Sequence, residues 1–226
     1  MNKKFTRRQA LLAVSSALLL PAACSQSVAR FSQSSVIFSH GVASGDPDRT
    51  SVVIWTRVSD SEDAVDVDWT MASDSDFLDV VARGRYSTDR GRDHTVKIVV
   101  DNLDPGQEYY YQFAAKGSIS PTGRTRTLPV GHVEQLVVAV ATCSNYPFGY
   151  FNAYEVIAND PSIDLVVHLG DYIYEAGENG FGGEAGKRIG RIHEPRHEIV
   201  SLDDYRRRHA STRPTRVHWR CMPAIH

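Results

Sequence analysis

The chain has 226 residues, 42% hydrophobic and 23% charged, with 25 Lys and Arg against 27 Asp and Glu and a formal net charge of −2. This composition excludes a disordered chain, and the charge balance excludes a broad electrostatic pull toward nucleic acid. Three widely spaced cysteines, Cys24, Cys143 and Cys221, exclude a disulfide framework.

Residues 1–24 read as an export signal and not as part of the fold. Lys3, Lys4, Arg7 and Arg8 make a basic start, an apolar run follows from Ala10 to Leu20, and Pro21-Ala22-Ala23 supplies small residues before Cys24. The run is short for a bilayer span. The string TRRQALL sets paired arginines directly before it, as in a twin-arginine (Tat) signal that engages the Tat export machinery and carries proteins out already folded. LPAAC also resembles a lipoprotein cleavage box with a lipid anchor on Cys24, although Pro21 stands where that box takes an aliphatic residue. Removing residues 1–23 takes the formal charge from −2 to −6, so an anion site in the mature chain has to supply its own local positive charge.

Residues 34–129 predict an all-β domain. SVVIWTRV (51–58) alternates with Val52, Ile54 and Thr56 on one face and Val53, Trp55 and Arg57 on the other; DVDWTMA (66–72), HTVKIVV (94–100) and EYYYQFAA (108–115) follow. Strands at this spacing without helical stretches suit an antiparallel sandwich, though a Pro-Gly turn occurs in any β-rich domain. LDPGQEYYYQF looks like the corner of fibronectin-III or immunoglobulin-like domains, in which a tyrosine hydroxyl ties the turn to backbone. HGVASGDP (40–47) predicts a tight, ordered loop around His40 and Asp46, with an active-site or a purely structural role.

The pattern changes after Pro129. LVVAVAT (136–142) is a continuous apolar run expected to be a strand buried on both faces. Gly149 to Asn159 carries Tyr150, Phe151, Tyr154 and Ile157 at helical spacing, and IDLVVHLGD (163–171) is a second such strand. Strand, helix, strand implies a parallel crossover, and ligands of open α/β sheets bind beyond the carboxyl ends of the strands. Cys143 and Asp171 stand at those ends, with Tyr174 three residues on. Asp171 offers two hard oxygens that can bridge two metals, a phenolate suits a hard trivalent ion such as iron(III), and a thiolate persists only beside a cation or a strong positive field. Such a centre neutralises phosphate oxygens and lowers the pKa of water, which is what phosphate-ester cleavage requires. Singly, each residue has a plainer role: the cysteine as a small hydrophobe, Gly-Asp as a turn, Tyr174 in packing. His168 reads as a hydrogen-bonded core histidine and not as a ligand.

The segments HGVASGDP…VVIWTRV, ATCSNYPFGYFNAY, DLVVHLGDYIYEAG and HEPRHEIVSLDDYRRRHA, in this order over about residues 36–210, resemble PhoD-type alkaline phosphatases/phosphodiesterases. The resemblance implies a β-sandwich domain over 34–129. It further implies a truncated α/β, calcineurin-like metallophosphoesterase domain starting over 134–210. An iron(III)–calcium centre would hydrolyse phosphate mono- and diesters outside the cytoplasm, in the periplasm or beyond. It implies that Cys143, Asp171 and Tyr174 are iron-side ligands with Asp171 bridging to calcium. It places Arg191, His193, Arg196 and His197 near an anionic substrate; the other reading of that stretch is a solvated loop leading to a helix N-cap at Ser201-Leu202-Asp203.

The tail 211–226, STRPTRVHWRCMPAIH, departs from the family pattern, and the family's further ligands, among them a Trp-Asp-Asp-His-Glu-like segment, are not in the chain. Codons exist for this tail whose neighbouring frame reads QYKTDQGALALHARHS, close to the family's continuation, so a frameshifted tail and a chain inactive or very weak as written are expected. Two other classes compete: an exported, non-enzymatic β-sandwich binding module, and a purple-acid-phosphatase-like branch, which normally has aspartate where Cys143 stands.

Overall fold

The computed structural model describes residues 37–59 and 63–212. The expected signal over 1–24, the lipid-anchor candidate Cys24, and 213–226 of the expected frameshifted tail lie outside the described residues.

The first eight strands form two antiparallel sheets. β1 (Val42–Gly45), β2 (Val52–Arg57) and β5 (Thr95–Val100) make one in the order β1-β2-β5. β3 (Ala64–Ala72), β4 (Val80–Asp89), β6 (Glu108–Ala115) and β7 (Ser118–Ile119) make the other in the order β4-β3-β6-β7, with β8 (Gly123–Arg126) also pairing β6. Alternation decides which face is buried. Val52, Ile54 and Thr56 are fully buried, while Val53, Trp55 and Arg57 are half-buried. Tyr109, Tyr111, Phe113 and Ala115 point inward from β6, and side chains of both sheets share one core with Phe38, Val67 and Met71. Each such side chain contributes about 1.5–3 kcal/mol by leaving water.

The 104–109 corner forms as its sequence suggests: the Tyr109 hydroxyl accepts a hydrogen bond from the Asp104 N–H at 2.8 Å. HGVASGDP differs from expectation. Its centre is strand β1, paired to β2 with Ala43 opposite Trp55, and only its ends, Gly41 (φ 67°) and Asp46 (φ 45°), turn in the left-handed region. The alternation Val42, Ser44 toward the core explains the strand despite its small residues.

The remaining elements position the candidate site. β9 (Val138–Ala141) and β10 (Leu165–His168) pair in parallel, with Ala141 opposite His168, and the crossover between them contains α1 (Asn152–Asn159). Tyr154 and Val166 centre a small core with Ala139, Ala141, Phe151, Ile157 and Ile163. The expectation that both strands are buried on both faces needs correcting. Val138 and Val140 are 39% and 61% exposed, because no element among the described residues covers that face of β9. Two further helices follow, α2 (Gly183–Ile189) and α3 (Leu202–Thr212). Ser201 caps α3, its Oγ accepting from the Asp204 N–H at 3.1 Å while the Asp204 carboxylate accepts from the Ser201 N–H at 3.3 Å.

Candidate metal centre

The pairing of β9 with β10 continues past both strand ends. Leu169 N–H donates to Ala141 O (2.9 Å), Cys143 N–H to Gly170 O (3.2 Å) and Ser144 N–H to Asp171 O (2.9 Å). Those bonds bring 143 and 171 side by side across 28 positions of sequence. Cys143 (φ 58°) and Asp171 (φ 55°) both adopt the left-handed backbone conformation. For residues other than glycine this costs about 1–3 kcal/mol each, and such strain gathers at functional sites. Gly170 (φ 111°) makes the turn between strand and carboxylate without that cost.

The side chains converge on one oxygen. Cys143 Sγ lies 3.6 Å from Asp171 Oδ2, and the Tyr174 hydroxyl donates to the same oxygen at 3.2 Å. Thr142 Oγ1 lies 3.4 Å from the sulfur. Cys143 and Asp171 are exposed, and Tyr174 is half-buried against Phe181. Burial, and then the hydrogen bonds with Cys143 and Asp171, push the Tyr174 phenol above its ordinary pKa. Two hydrogen bonds thus gather a carboxylate, a phenol and a thiol, three groups of metal-donor type, at one oxygen. The donor set fits iron(III) on its oxygen side, while no group of three His, Cys, Asp or Glu side chains gathers among the described residues, this site supplying one Cys and one Asp.

His168 supports the turn from behind. It is 4% exposed, and Gly170 N–H donates to its Nδ1 at 3.3 Å, so a neutral ring carries its proton on Nε2. That nitrogen lies 3.0 Å from Ser144 Oγ and 2.9 Å from Tyr154 Oη, and the two hydroxyls bond each other. Burial lowers the His168 pKa more than Asp171 raises it. The core-histidine expectation therefore holds, and the network fixes the residues next to Cys143 and Asp171.

The two arginines and two histidines of 191–197 are not gathered at one point. Arg191 is buried, its guanidinium 3.8 Å from the centroid of the Tyr146 ring and its Nε donating to Tyr146 O at 2.9 Å. His193 is 1% exposed, and neither ring nitrogen has a hydrogen-bond partner among the described residues. Arg196 and His197 are exposed and line a cleft of about 430 Å³ beside Gly177 and Glu178. Arg196 pairs with Glu178 (3.4 Å) and Glu194 (3.6 Å), and His197 with Asp204 (3.2 Å).

One residue of this neighbourhood escapes sequence reasoning. Arg208 is fully buried. Its Nε donates to Glu194 O (3.1 Å), its Nη1 to Tyr174 O and Ala176 O (3.1 Å), and its Nη2 to Pro195 O (2.8 Å) and His197 O (3.3 Å). In the run Arg206-Arg207-Arg208 it resembles a solvated face. The available signal is spacing: Asp204, Arg208 and Thr212 recur every four residues and form the buried face of α3.

Comparison with known proteins settles the family. The pattern described as "PhoD-like phosphatase, N-terminal domain" matches residues 23–129, and that of "PhoD-like phosphatase" matches residues 138–220. The chain belongs to the PhoD-like phosphatase family. It is 41% identical over 190 residues to alkaline phosphatase D of Bacillus subtilis (strain 168), covering 80% of this chain and 32% of that protein. A solved structure of PhoD superposes with a TM-score of 0.76 at 38% identity, covering 85% of this chain and 39% of the other. The chain thus spans about a third of the length of its PhoD-type relatives, and the match includes both the two-sheet domain and the turns that carry Cys143, Asp171 and Tyr174.

Proposed function

We propose that Cys143, Asp171 and Tyr174 form the iron side of an iron(III)–calcium centre in an exported, alkaline phosphatase D-like hydrolase of phosphate mono- and diesters. The convergence of sulfur and phenol on Asp171 Oδ2 at 3.6 and 3.2 Å carries this reading, and the 41% identity to alkaline phosphatase D supports it. Such a centre supplies Lewis-acid neutralisation of phosphate oxygens and activation of water.

The chain's own residues have definable roles around it. Asp171 would hold the cations through its carboxylate, whose Oδ2 faces Cys143 and Tyr174. Tyr174, whose hydroxyl donates to that oxygen, would hold the iron as its phenolate. The left-handed turns at 143 and 171, held by His168, Ser144 and Tyr154, pre-organise the donors before any cation arrives. Arg196 and His197, on the cleft wall, would meet an anionic ester, while Arg191 and His193 pack against Tyr146. The stretch 1–24 directs the folded chain to the Tat machinery, with Cys24 as a lipid-anchor position. A non-enzymatic sandwich module is not favoured, because the phosphatase match continues through 138–220.

Iron titration of the purified chain tests the reading. One iron(III) per chain and a visible tyrosinate-to-iron band are expected, with the band lost in Tyr174→Phe. A chain that takes up no iron, or a band that survives Tyr174→Phe, overturns it.

A further inference from the structure

We propose that Arg208 is a positioning residue for Tyr174, its buried guanidinium gathering the carbonyls of 174–176 and 194–197 into one body and so setting where the phenol stands relative to Cys143 and Asp171. The inference rests on the iron-ligand reading of the trio and adds the group that places its third member.

The donors and acceptors match in number. A guanidinium carries five N–H donors in a rigid planar fork, and all three nitrogens of Arg208 are engaged with five backbone carbonyls. Two of those carbonyls belong to the Tyr174 segment and three to the 194–197 segment, which are 18 or more positions apart in sequence. The segments also bond each other directly, Glu178 N–H to Arg196 O at 2.7 Å and Ile199 N–H to Glu175 O at 3.0 Å. Gly177 permits this approach, since a Cβ there would stand 2.6 Å from Arg196 O.

Stability alone is a poor explanation for the arrangement. None of the five acceptors is a carboxylate, and a buried cation held by neutral carbonyls carries a large desolvation cost, which an apolar side chain at the same helical position would avoid. What Leu or Met could not provide is a fixed distance between two loops. Lysine could not provide it either, having three donors on a flexible stem. The segment in question begins at the Tyr174 carbonyl itself, and the phenol of that residue is the donor to Asp171. On its solvent side α3 is tied elsewhere: Arg206 donates to Gly91 O at 2.7 Å, between β4 and β5. The fork of Arg208 is therefore mounted on a helix anchored to the two-sheet domain.

The test uses the full chain with iron(III) added. Arg208→Lys is expected to shift the tyrosinate band and to weaken retention of iron against a chelator by about ten- to a hundredfold, the usual cost of losing an outer-shell partner. It is also expected to speed amide exchange at Glu178 and Ile199 together. Thr212→Ala, on the same buried helix face but bonded within the helix to His209 O, is expected to leave band and both amides unchanged. Unaltered band, retention and exchange in Arg208→Lys, or equal losses in Thr212→Ala, overturn the proposal. Should Arg208→Lys fail to fold, exchange in the wild-type chain decides: Glu178 and Ile199 open as one unit if the proposal holds and independently if it does not. A wild-type chain without any band would sink the iron reading, and the exchange measurements would still decide whether Arg208 joins the two segments.

Discussion

His193 offers a sharp test of how this part of the chain is packed. Its ring is 1% exposed, with both nitrogens unpartnered among the described residues. Burial, and then the Arg208 cation, lower its pKa from 6.5 to about 4. The unfolded chain binds a proton at pH 5 that the folded chain refuses, so stability falls as pH drops from about 6.5 to about 4 and levels off below. At about 1.36 kcal/mol per pKa unit, the loss between pH 7 and pH 4 is roughly 3 kcal/mol. His193→Leu removes the titration and keeps the volume. It also removes two unpaired buried nitrogens, each of a kind that costs about 1–3 kcal/mol, so the variant should equal or exceed wild type at pH 7. Asp204, held low by hydrogen bonds from Ser201 and Arg207 against the effect of burial, weakens both proteins alike in acid. The difference between them isolates the imidazole. Urea unfolding at pH 7, 5.5 and 4 measures it: the variant should gain roughly 3 kcal/mol on wild type across the window. Parallel acid limbs would refute the reasoning and show that His193 is hydrated or paired in solution.

Other substitutions test other links. Tyr109→Phe leaves the Asp104 N–H at the corner without its acceptor, and denaturant midpoints should fall by the equivalent of about 1–3 kcal/mol. Gly84 sits opposite Trp69, and a Cβ at 84 would stand 2.8 Å from the indole nitrogen; Gly84→Val should lower stability by about 1–3 kcal/mol with a changed tryptophan emission. Ser201→Ala removes the cap of α3 and should cost about 1 kcal/mol, read by thermal unfolding.

Much of the fold was legible because period and burial agree. Strand β6 alternates strictly and buries every second residue, and the apolar runs after Pro129 become the parallel pair whose ends meet. The trio at 143, 171 and 174 was legible for the same reason, since parallel strands deliver their carboxyl ends to one edge. Strand β4 was not. It is an edge strand, and its residues Val80–Asp89 are mostly exposed, so no apolar alternation marks it; its place is fixed by pairing with β3 and by Gly84 making room for Trp69. The left-handed turns at Cys143 and Asp171 leave no trace in sequence, because neither residue type favours that conformation strongly enough to be read. Arg208 was hidden by its charge: three arginines in a row look solvated, and only the packing of two distant loops shows which one is inside. The same holds for Arg191 and His193, whose composition suggests contact with an anion while their burial against Tyr146 gives them a supporting place.

The central claim is that sulfur and phenol meet one metal beside Asp171. X-ray absorption at the iron edge of the loaded chain tests it most directly. One sulfur scatterer among oxygen neighbours is expected, vanishing in Cys143→Ser while the visible band remains. An iron shell of oxygen and nitrogen alone, identical in both proteins, would contradict the account.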